Sequence, residues 1–358
     1  MKAVVLVGGE GTRLRPLTYT TPKQLLPVVE IPLLERVLMH LATAGVDHAI
    51  LSLGYRPDAF VAAYPGDVAA GIRLSYAVEP EPLDTAGAIR FAALYGAVDD
   101  TFVAVNGDVL TDVDITTLLD CHRRHDASAT LHLTAVDDPS RFGVVTTDAD
   151  GRVLAFVEKP SPGQAPSNLI NAGTYILEPD VLAKIPAGRP VSIERETFPE
   201  LTADGRVYGV ASSAYWLDAG TPAAYLKAHA DLLDGTRGGP PAPGAWRRSD
   251  GVWVMGTPTI EGEVGRFSLI GRGAVVAAGA RVESSVVGAG SVIERGAVVE
   301  GSVLLPGVHV GRGASVTGSI LGRDAVVAED CVVSALTVVG DGEVLGRGVQ
   351  LSEARVPA

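Results

Sequence analysis

The chain has 358 residues, 47% of them apolar and 20% charged, and a formal net charge of −13. That length and apolar content suit two or three folded domains and exclude global disorder, which needs an apolar-poor, highly charged chain. The acidic balance shows no basic stripe and argues against a nucleic-acid surface, leaving small molecules as the expected partners. Cys121 and Cys331, the only cysteines, have neither a disulfide framework nor metal-finger spacing and fit a reducing cytoplasm. Met1-Lys2 followed by AVVLVGG lacks the apolar run of a secretory leader, and no apolar run approaches the ~18–20 residues of a membrane span. A cytoplasmic protein with no membrane partner is expected.

In chain order, AVVLV (3–7) is a short apolar run suited to a buried parallel strand. LLERVLMHLATAG (33–45) has helical spacing and ends at Gly45, a C-cap residue. HAILSLG (48–54) and TFVAVNGD (101–108) read as strands, DITTLLDCHRRHD (114–126) as a helix and ATLHLTAV (129–136) as a further strand. This alternation predicts an α/β domain with parallel strands, whose ligands sit at the strands' carboxyl ends, where Gly8, Gly9 and Asp108 fall.

Residues 1–235 form this first domain, and the Gly- and Pro-dense stretch 236–253 reads as a linker. From 254 to 358 the texture changes. Aliphatic residues recur at steps of six, occasionally five: Ile270, Val276, Val282, Val287, Ile293, Val299, Leu304, Val310, Val316, Leu321, Val327, Val333, Val339 and Leu345. A hexapeptide period predicts a parallel β-helix that buries this ladder as its coils stack. An ordinary sandwich would alternate at two instead.

Four motifs carry chemistry. VGGEGTRLRPLT (7–18), then PKQLLP (22–27), puts glycines after a strand and follows them with arginines and Lys23. It is neither a P-loop nor a dinucleotide fingerprint, since no Lys-Ser/Thr follows and Leu14 stands where a third Gly is needed. Glycine amides with Arg and Lys side chains suit a triphosphate. The chain holds five lysines against 24 arginines, so Lys23 and Lys159 stand out as places where a compact ammonium is wanted. VNGDVL (105–110) and YWLDAGTP (215–222) each set an aspartate, Asp108 or Asp218, at the end of an apolar run, which suits Mg2+ among phosphates. FVEKP (156–160), INAGTYIL (170–177) and FGVV (142–145) supply Glu158, Lys159, Asn171 and Gly143, residues suited to sugar hydroxyls, a phosphate and a ring.

GGEGTRLRPLT…PKQLLP, EPLDTAGAI, NGDV, FGVV, EKP, NAGTYIL, IERETFP and YWLDAGTP, in this order, resemble the sugar-phosphate nucleotidylyltransferases over nearly the whole chain, most of all those acting on GTP and mannose 1-phosphate. The resemblance implies a Rossmann-like nucleotidyltransferase domain followed by a left-handed parallel β-helix, and a reaction that joins a sugar 1-phosphate to a nucleoside triphosphate with release of pyrophosphate. Arg13 and Lys23 would hold the triphosphate, and Asp108 and Asp218 would bind Mg2+. Lys159 would hold the sugar phosphate, with Gly143, Glu158, Asn171 and Asp218 around the sugar. Leu6, Gly8, Gly9, Gly11, Thr12, Glu79, Thr85 and Gly87 complete the nucleotide side. No general base is needed, because the attacking phosphate oxygen is already anionic.

One position departs from the pattern. The family reads L-G-T-A-G where this chain has Leu83-Asp84-Thr85-Ala86-Gly87, and an Asp tolerates a positive φ less well than Gly and adds negative charge near a triphosphate. Glu79 stands where thymidylyl and uridylyl relatives place Gln; a carboxylate accepts from both N1–H and the 2-amino group of guanine. GTP with mannose 1-phosphate is the expected pair, dTTP or UTP with glucose 1-phosphate an alternative, and a silent nucleotide-sugar sensor another. A homo-oligomer is expected through the β-helix. His309, the one histidine of the repeat, is read as structural or oligomeric rather than as an acyltransferase base.

Overall fold

The computed structural model describes residues 1–357. By packing, the chain forms two compact units: Met1–Gly9 with Leu34–Trp216, and Glu10–Leu33 with Leu217–Ala358. The segment Glu10–Leu33, which carries most of the glycine-rich motif, is therefore packed with the repeat region.

The first unit is built on a ten-stranded sheet. Its strands are β1 (Lys2–Leu6), β2 (His48–Leu53), β3 (Val68–Ala69), β4 (Ile72–Val78), β5 (Phe102–Asn106), β6 (Ala129–Ala135), β7 (Gly143–Thr147), β8 (Val153–Glu158), β9 (Leu169–Leu177) and β10 (Val207–Ser212). The order is β8-β7-β9-β5-β1-β2-β4-β3, with β6 on β9 and β10 on β6. β5, β1, β2 and β4 run parallel, as the βα rhythm predicts. β9 is antiparallel to β5 and β6, and β7 to β8 and β9, so the sheet is mixed rather than all-parallel. The short 143–177 connections have no room for the crossover a parallel pair requires.

Strand alternation buries both faces. Val4, Ile50, Ala77 and Ala104 join one core with Ala86, Ile89, Ala92 and Ala93 of helix Asp84–Tyr95. Their neighbours Ala3, Val5, Ala49, Leu51 and Val103 are fully buried on the opposite face.

The repeat region of the second unit is a parallel β-helix of three sheets, one of eight strands and two of six. Ile270, Val287, Leu304, Leu321 and Val339 stack in register in one sheet. Val276, Ile293, Val310, Val327 and Leu345 stack in the second, and Val282, Val299, Val316 and Val333 in the third. All fourteen predicted ladder residues are buried. A second column was not anticipated: Ser268, Ser285, Ser302, Ser319 and Thr337 are buried, and the hydroxyl oxygens of Ser285 and Ser302 accept from the amides of Ser302 and Ser319 one coil on, each at 3.1 Å. These bonds satisfy polar groups inside the turn of each coil.

The β-helix begins inside the predicted linker. Trp246–Arg247 pairs antiparallel with Trp253–Val254, which continues the eight-stranded sheet onto Leu269–Ile270. His309 Nε2 lies 2.9 Å from Glu294 Oε1 of the preceding coil, a surface pair. No described helix is long and apolar enough to cross a membrane.

Candidate active site

In the first unit the predicted residues collect at the edge where β1, β2, β4 and β5 end. Leu6 is the last residue of β1, paired with Ser52 and Asn106. Gly8 follows it and packs against Gly54 and Glu79: a Cβ there would lie 3.4 Å from Gly54 N and from Glu79 Oε1. Gly9 faces open space. Glu79 follows β4, and both its oxygens already accept: Oε1 from the Ser52 hydroxyl at 2.9 Å and Oε2 from the Leu83 amide at 3.1 Å. Each oxygen keeps one lone pair for a ligand.

The segment from Leu83 opens helix Asp84–Tyr95. Asp84 has φ 57°, in the left-handed region, so the departure from the family's glycine falls where glycine would be unstrained. Its own Oδ1 accepts from the Thr85 amide at 2.7 Å, the local bond that makes Asp among the more tolerable residues here. The Gly87 amide donates to Val191 O at 3.2 Å, and a Cβ at Gly87 would sit 3.0 Å from Leu83 Cβ. Gly87 thus lets the helix start close against Pro190–Val191.

Thr85 leads to a residue with no assigned role in the sequence reading. Its hydroxyl accepts from Ile193 N at 2.8 Å and donates to Glu194 Oε2 at 2.9 Å; the Ser192 hydroxyl donates to the same oxygen at 3.0 Å. Burial pushes the Glu194 carboxyl above its ordinary range against these bonds, and the charge of Glu158 adds to the rise. The sequence signal is the motif IERETFP, which by itself does not single out Glu194, because its partner Thr85 lies far back in the chain.

Asp108 is set by its neighbours. β5 ends at Asn106, and a Cβ at Gly107 would sit 2.6 Å from Val7 Cγ1 and 2.9 Å from Leu6 O, so glycine is required for the chain to turn over β1. Asp108 follows half-buried at that turn. At the start of β9 the pairing with β6 shifts between Asn171 and Tyr175, and Gly173 bulges at φ 76° toward Asn106. Asn171 Nδ2 donates to Tyr175 Oη at 2.7 Å, its Oδ1 accepts from Gly173 N at 3.1 Å, and Trp216 Nε1 donates to Ala172 O at 2.9 Å.

Gly143 and Glu158 are direct cross-strand partners of β7 and β8. A Cβ at Gly143 would lie 2.6 Å from Phe156 Cε1 and 3.0 Å from Glu158 Oε2. The room that Gly143 leaves is thus taken by the Phe156 ring and the Glu158 carboxylate. Glu158 Oε1 lies 2.8 Å from Lys159 Nζ. Glu158 Oε2 is buried without a hydrogen-bond donor among the described residues. Lys159 has φ 47°, and its amide donates to Phe142 O at 2.9 Å.

In the second unit Glu10–Leu33 winds through three short 3-10 turns, Thr12–Leu14, Leu17–Tyr19 and Lys23–Leu25. Gly11 has φ 65°, and a Cβ there would lie 2.9 Å from Lys23 Cβ and 3.0 Å from Thr18 Cγ2. The Thr18 hydroxyl donates to Gly11 O at 2.9 Å. Glycine is what lets the loop close over the nearly buried Lys23. Thr12 opens the first turn, and Arg13 projects from it, 54% exposed, with Nη2 3.9 Å from Asp218 Oδ2. Asp218 Oδ1 accepts from Gly220 N at 2.9 Å. Thr221 caps helix Pro222–Leu233 by accepting from Ala224 N, with Pro222 at its first position.

No group of three or more His, Cys, Asp or Glu suited to a metal occurs among the described residues. Mg2+ needs only one or two carboxylates with phosphate and water oxygens, and Asp218, whose Oδ1 accepts from Gly220 N, is a hard oxygen ligand of that kind.

Residues 2–235 match the family described as nucleotidyl transferase, and residues 262–357 the one described as GMPPB C-terminal domain. The chain is 43% identical over 290 residues to a mannose-1-phosphate guanylyltransferase of Mycobacterium tuberculosis, covering 79% of this chain and 78% of that one. An Arabidopsis thaliana mannose-1-phosphate guanylyltransferase 1 is 36% identical over the same length, 79% of this chain and 78% of its own. Among solved structures, HddC from Yersinia pseudotuberculosis complexed with GMP-PN is 31% identical with TM-score 0.55, covering 64% of this chain and 97% of that one. A putative glucose-1-phosphate thymidylyltransferase from Bacillus anthracis, in complex with a sucrose, is 26% identical with TM-score 0.58, covering 64% of this chain and 94% of that one.

Proposed function

Since the chain belongs to the nucleotidyl transferase family, we propose that it transfers the guanylyl group of GTP to mannose 1-phosphate, giving GDP-mannose and pyrophosphate. The phosphate oxygen of the sugar attacks the α-phosphorus; a P–O bond forms there as the bond to the β-phosphate's bridging oxygen breaks, and pyrophosphate carries away the electron pair. Catalysis of this step needs positioning and charge neutralisation rather than a base.

Arg13, half-exposed on its turn, and Lys23, nearly buried beneath Gly11, are the cations for the triphosphate and the departing pyrophosphate. Lys159 is the cation for the sugar phosphate. Asp108 and Asp218 are the carboxylates that would hold Mg2+, which when bound neutralises phosphate oxygens. Glu79 keeps one lone pair on each oxygen for the two guanine donors, and the amides near Gly8 and Gly9 lie beside it.

The observation that carries the sugar side is Glu158 Oε2, a buried acceptor without a donor, next to Lys159 on the same carboxylate. Such an atom is costly unless a ligand hydroxyl donates to it. The names of the relatives support mannose and guanine. Two free thiols support a cytoplasmic place of work. Stacked coils ending in open strand edges support a homo-oligomer, to be weighed by light scattering.

The test is pyrophosphate release with Mg2+, crossing GTP, dTTP, UTP, ATP and CTP with the 1-phosphates of mannose, glucose and N-acetylglucosamine. The highest kcat/KM is expected for GTP with mannose 1-phosphate. A maximum at dTTP or UTP with glucose 1-phosphate overturns the substrates and keeps the reaction. No turnover by folded protein overturns the enzyme reading in favour of a sensor.

A further inference from the structure

One corner of the β-helix carries contacts to the segment Glu10–Leu33. The turns 271–274, 288–291, 305–308, 322–325 and 340–343 stack one above the next through backbone bonds: Gly290 N to Arg272 O, Gly307 N to Ala289 O, Asp324 N to Pro306 O and Gly342 N to Arg323 O. The column so formed runs Arg272, Ala289, Pro306, Arg323, Asp341, and the segment Glu10–Leu33 of the same unit lies along it.

Three contacts fix that segment. At one end, Asp341 Oδ1 accepts from the Arg323 amide at 2.7 Å and its Oδ2 from the Thr20 hydroxyl at 2.5 Å. Beside it, Gly340 meets Pro16: a Cβ on Gly340 would lie 3.3 Å from Pro16 Cβ. At the other end, Glu30 Oε1 accepts from Ala289 N at 3.1 Å. Burial raises the Glu30 carboxyl, while that bond and the charges of Arg323 and Arg272 oppose the rise. Val29 and Glu30 form the turn of the hairpin Pro27–Val28 and Ile31–Pro32, with φ 49° and 67°. A β-branched residue with such a φ costs free energy and persists only where its surroundings hold it. His229 Nδ1, 3.3 Å from Val29 N, and the corner column are those surroundings. Helix Pro222–Leu233 adds Tyr225, whose hydroxyl donates to Pro27 O.

Lys23 lies between the two anchors, and Arg13 lies just outside the first. Arg13 is on the turn just before Pro16, and Lys23 three residues after Thr20. A loop of short turns has little rigidity of its own, and phosphate ligands must be held within about 0.5 Å to act. We infer that this corner of the β-helix is the mount of the triphosphate-binding loop, with Asp341 as a positioning residue that acts through Thr20 on Arg13 and Lys23. The repeat domain then contributes to nucleotide affinity directly, beyond any part in assembly. The inference rests on the proposed reading of the loop as the triphosphate site.

The experiment is steady-state kinetics on the full chain for Asp341→Ala, Thr20→Val, Thr20→Ser and the Asp341→Ala/Thr20→Val double variant. The nucleotide is GTP, or whichever triphosphate the wild type turns over best. A wrong base is thus read on the wild type alone and does not affect the comparison of variants. Asp341→Ala and Thr20→Val are each expected to raise KM for the nucleotide by roughly tenfold, the effect of losing a charge-assisted bond. KM for the sugar phosphate stays at its wild-type value, and so does the thermal midpoint of the two Thr20 single variants. Thr20→Ser keeps the wild-type KM, and the double variant is no worse than the poorer single, because the two residues share one bond. Additive effects, a nucleotide KM that does not move, a rise shared equally by both substrates, or failure of Thr20→Ser to retain affinity each overturns it. Thr20 is exposed, so its two variants decide the matter even where Asp341→Ala folds poorly.

Discussion

The Arg13 guanidinium lies 3.9 Å from the Asp218 carboxylate, and the backbone beside them is Gly220, with no side chain to part them. A Cβ at Gly220 would sit 2.7 Å from Arg13 Nη2 and 2.8 Å from Asp218 Oδ1. An exposed pair at this distance contributes little to stability. In the proposed reaction, its value is to hold the Arg13 cation and the carboxylate proposed to bind Mg2+ in a fixed relation before substrate arrives.

Gly220→Ala should therefore cost activity rather than folding. The methyl displaces the ends of two partly exposed side chains rather than core atoms, so the thermal midpoint stays near wild type. A misplacement of about 1 Å at reacting groups costs on the order of a hundredfold, and kcat/KM is expected to fall 10- to 100-fold on that scale. Paired kinetics and thermal unfolding check it; an intact kcat/KM would remove Arg13 or Asp218 from the site.

Asp84 makes the opposite kind of prediction. Its left-handed φ and its bond to the Thr85 amide set two small opposing effects. Asp84→Gly relieves the first and loses the second, and should stay within about 0.5 kcal/mol of wild type. Asp84→Val keeps the strain, adds a branch at Cβ and loses the bond, and should cost about 1–2 kcal/mol. Urea denaturation of both variants distinguishes the two.

In the β-helix, Val310 is fully buried in the ladder and Val344 is 67% exposed. Val310→Ala removes two buried carbons and should destabilise by about 2 kcal/mol, with a cavity term added. Val344→Ala should stay within about 0.5 kcal/mol. The comparison is clean because both residues belong to strands of the same sheet, Val344 to Val344–Leu345 and Val310 to His309–Val310.

That ladder shows why the repeat was legible in the sequence. A fixed interval puts each aliphatic residue one coil from the next, so period alone predicts Ile270 above Val287 and Val276 above Ile293, as found. The parallel centre of the first sheet was legible for a related reason, since short apolar runs alternating with helices allow few topologies. What the sequence hid was set by contacts distant along the chain. Glu79 reads as a loop carboxylate until Ser52 is seen to donate to it. Gly143 reads as space for a ligand until register places Phe156 beside it. Thr20 and Asp341 stand at opposite ends of the chain, and no local pattern joins them. The antiparallel turn of the sheet at β7–β9 and the role of Glu194 were likewise matters of register and long-range pairing.

His132 gives a pH prediction. It is fully buried in β6, neither ring nitrogen has a hydrogen-bond partner, and burial, aided by nearby His40, pushes its pKa down to about 4. The unfolded chain binds this proton near the ordinary histidine value of 6.5. The folded state takes it up only near 4. Between those values the unfolded state holds more protons, so stability falls as pH falls, at up to about 1.4 kcal/mol per pH unit from this one group. Above 6.5 the contribution is constant. His132→Leu should flatten the acid limb of stability against pH between about 6.5 and 4, read by urea denaturation at each pH. An unchanged slope would mean that His132 is not the group responsible.

The central claim is the identity of the product. One reaction mixture holding Mg2+, mannose 1-phosphate and equimolar GTP, dTTP, UTP, ATP and CTP, with the nucleotide sugars separated and weighed by mass spectrometry, tests it most directly. GDP-mannose as the dominant product, formed in step with pyrophosphate, is the result predicted here. A different nucleotide sugar in excess, or nucleotides returned intact by folded protein, would contradict it.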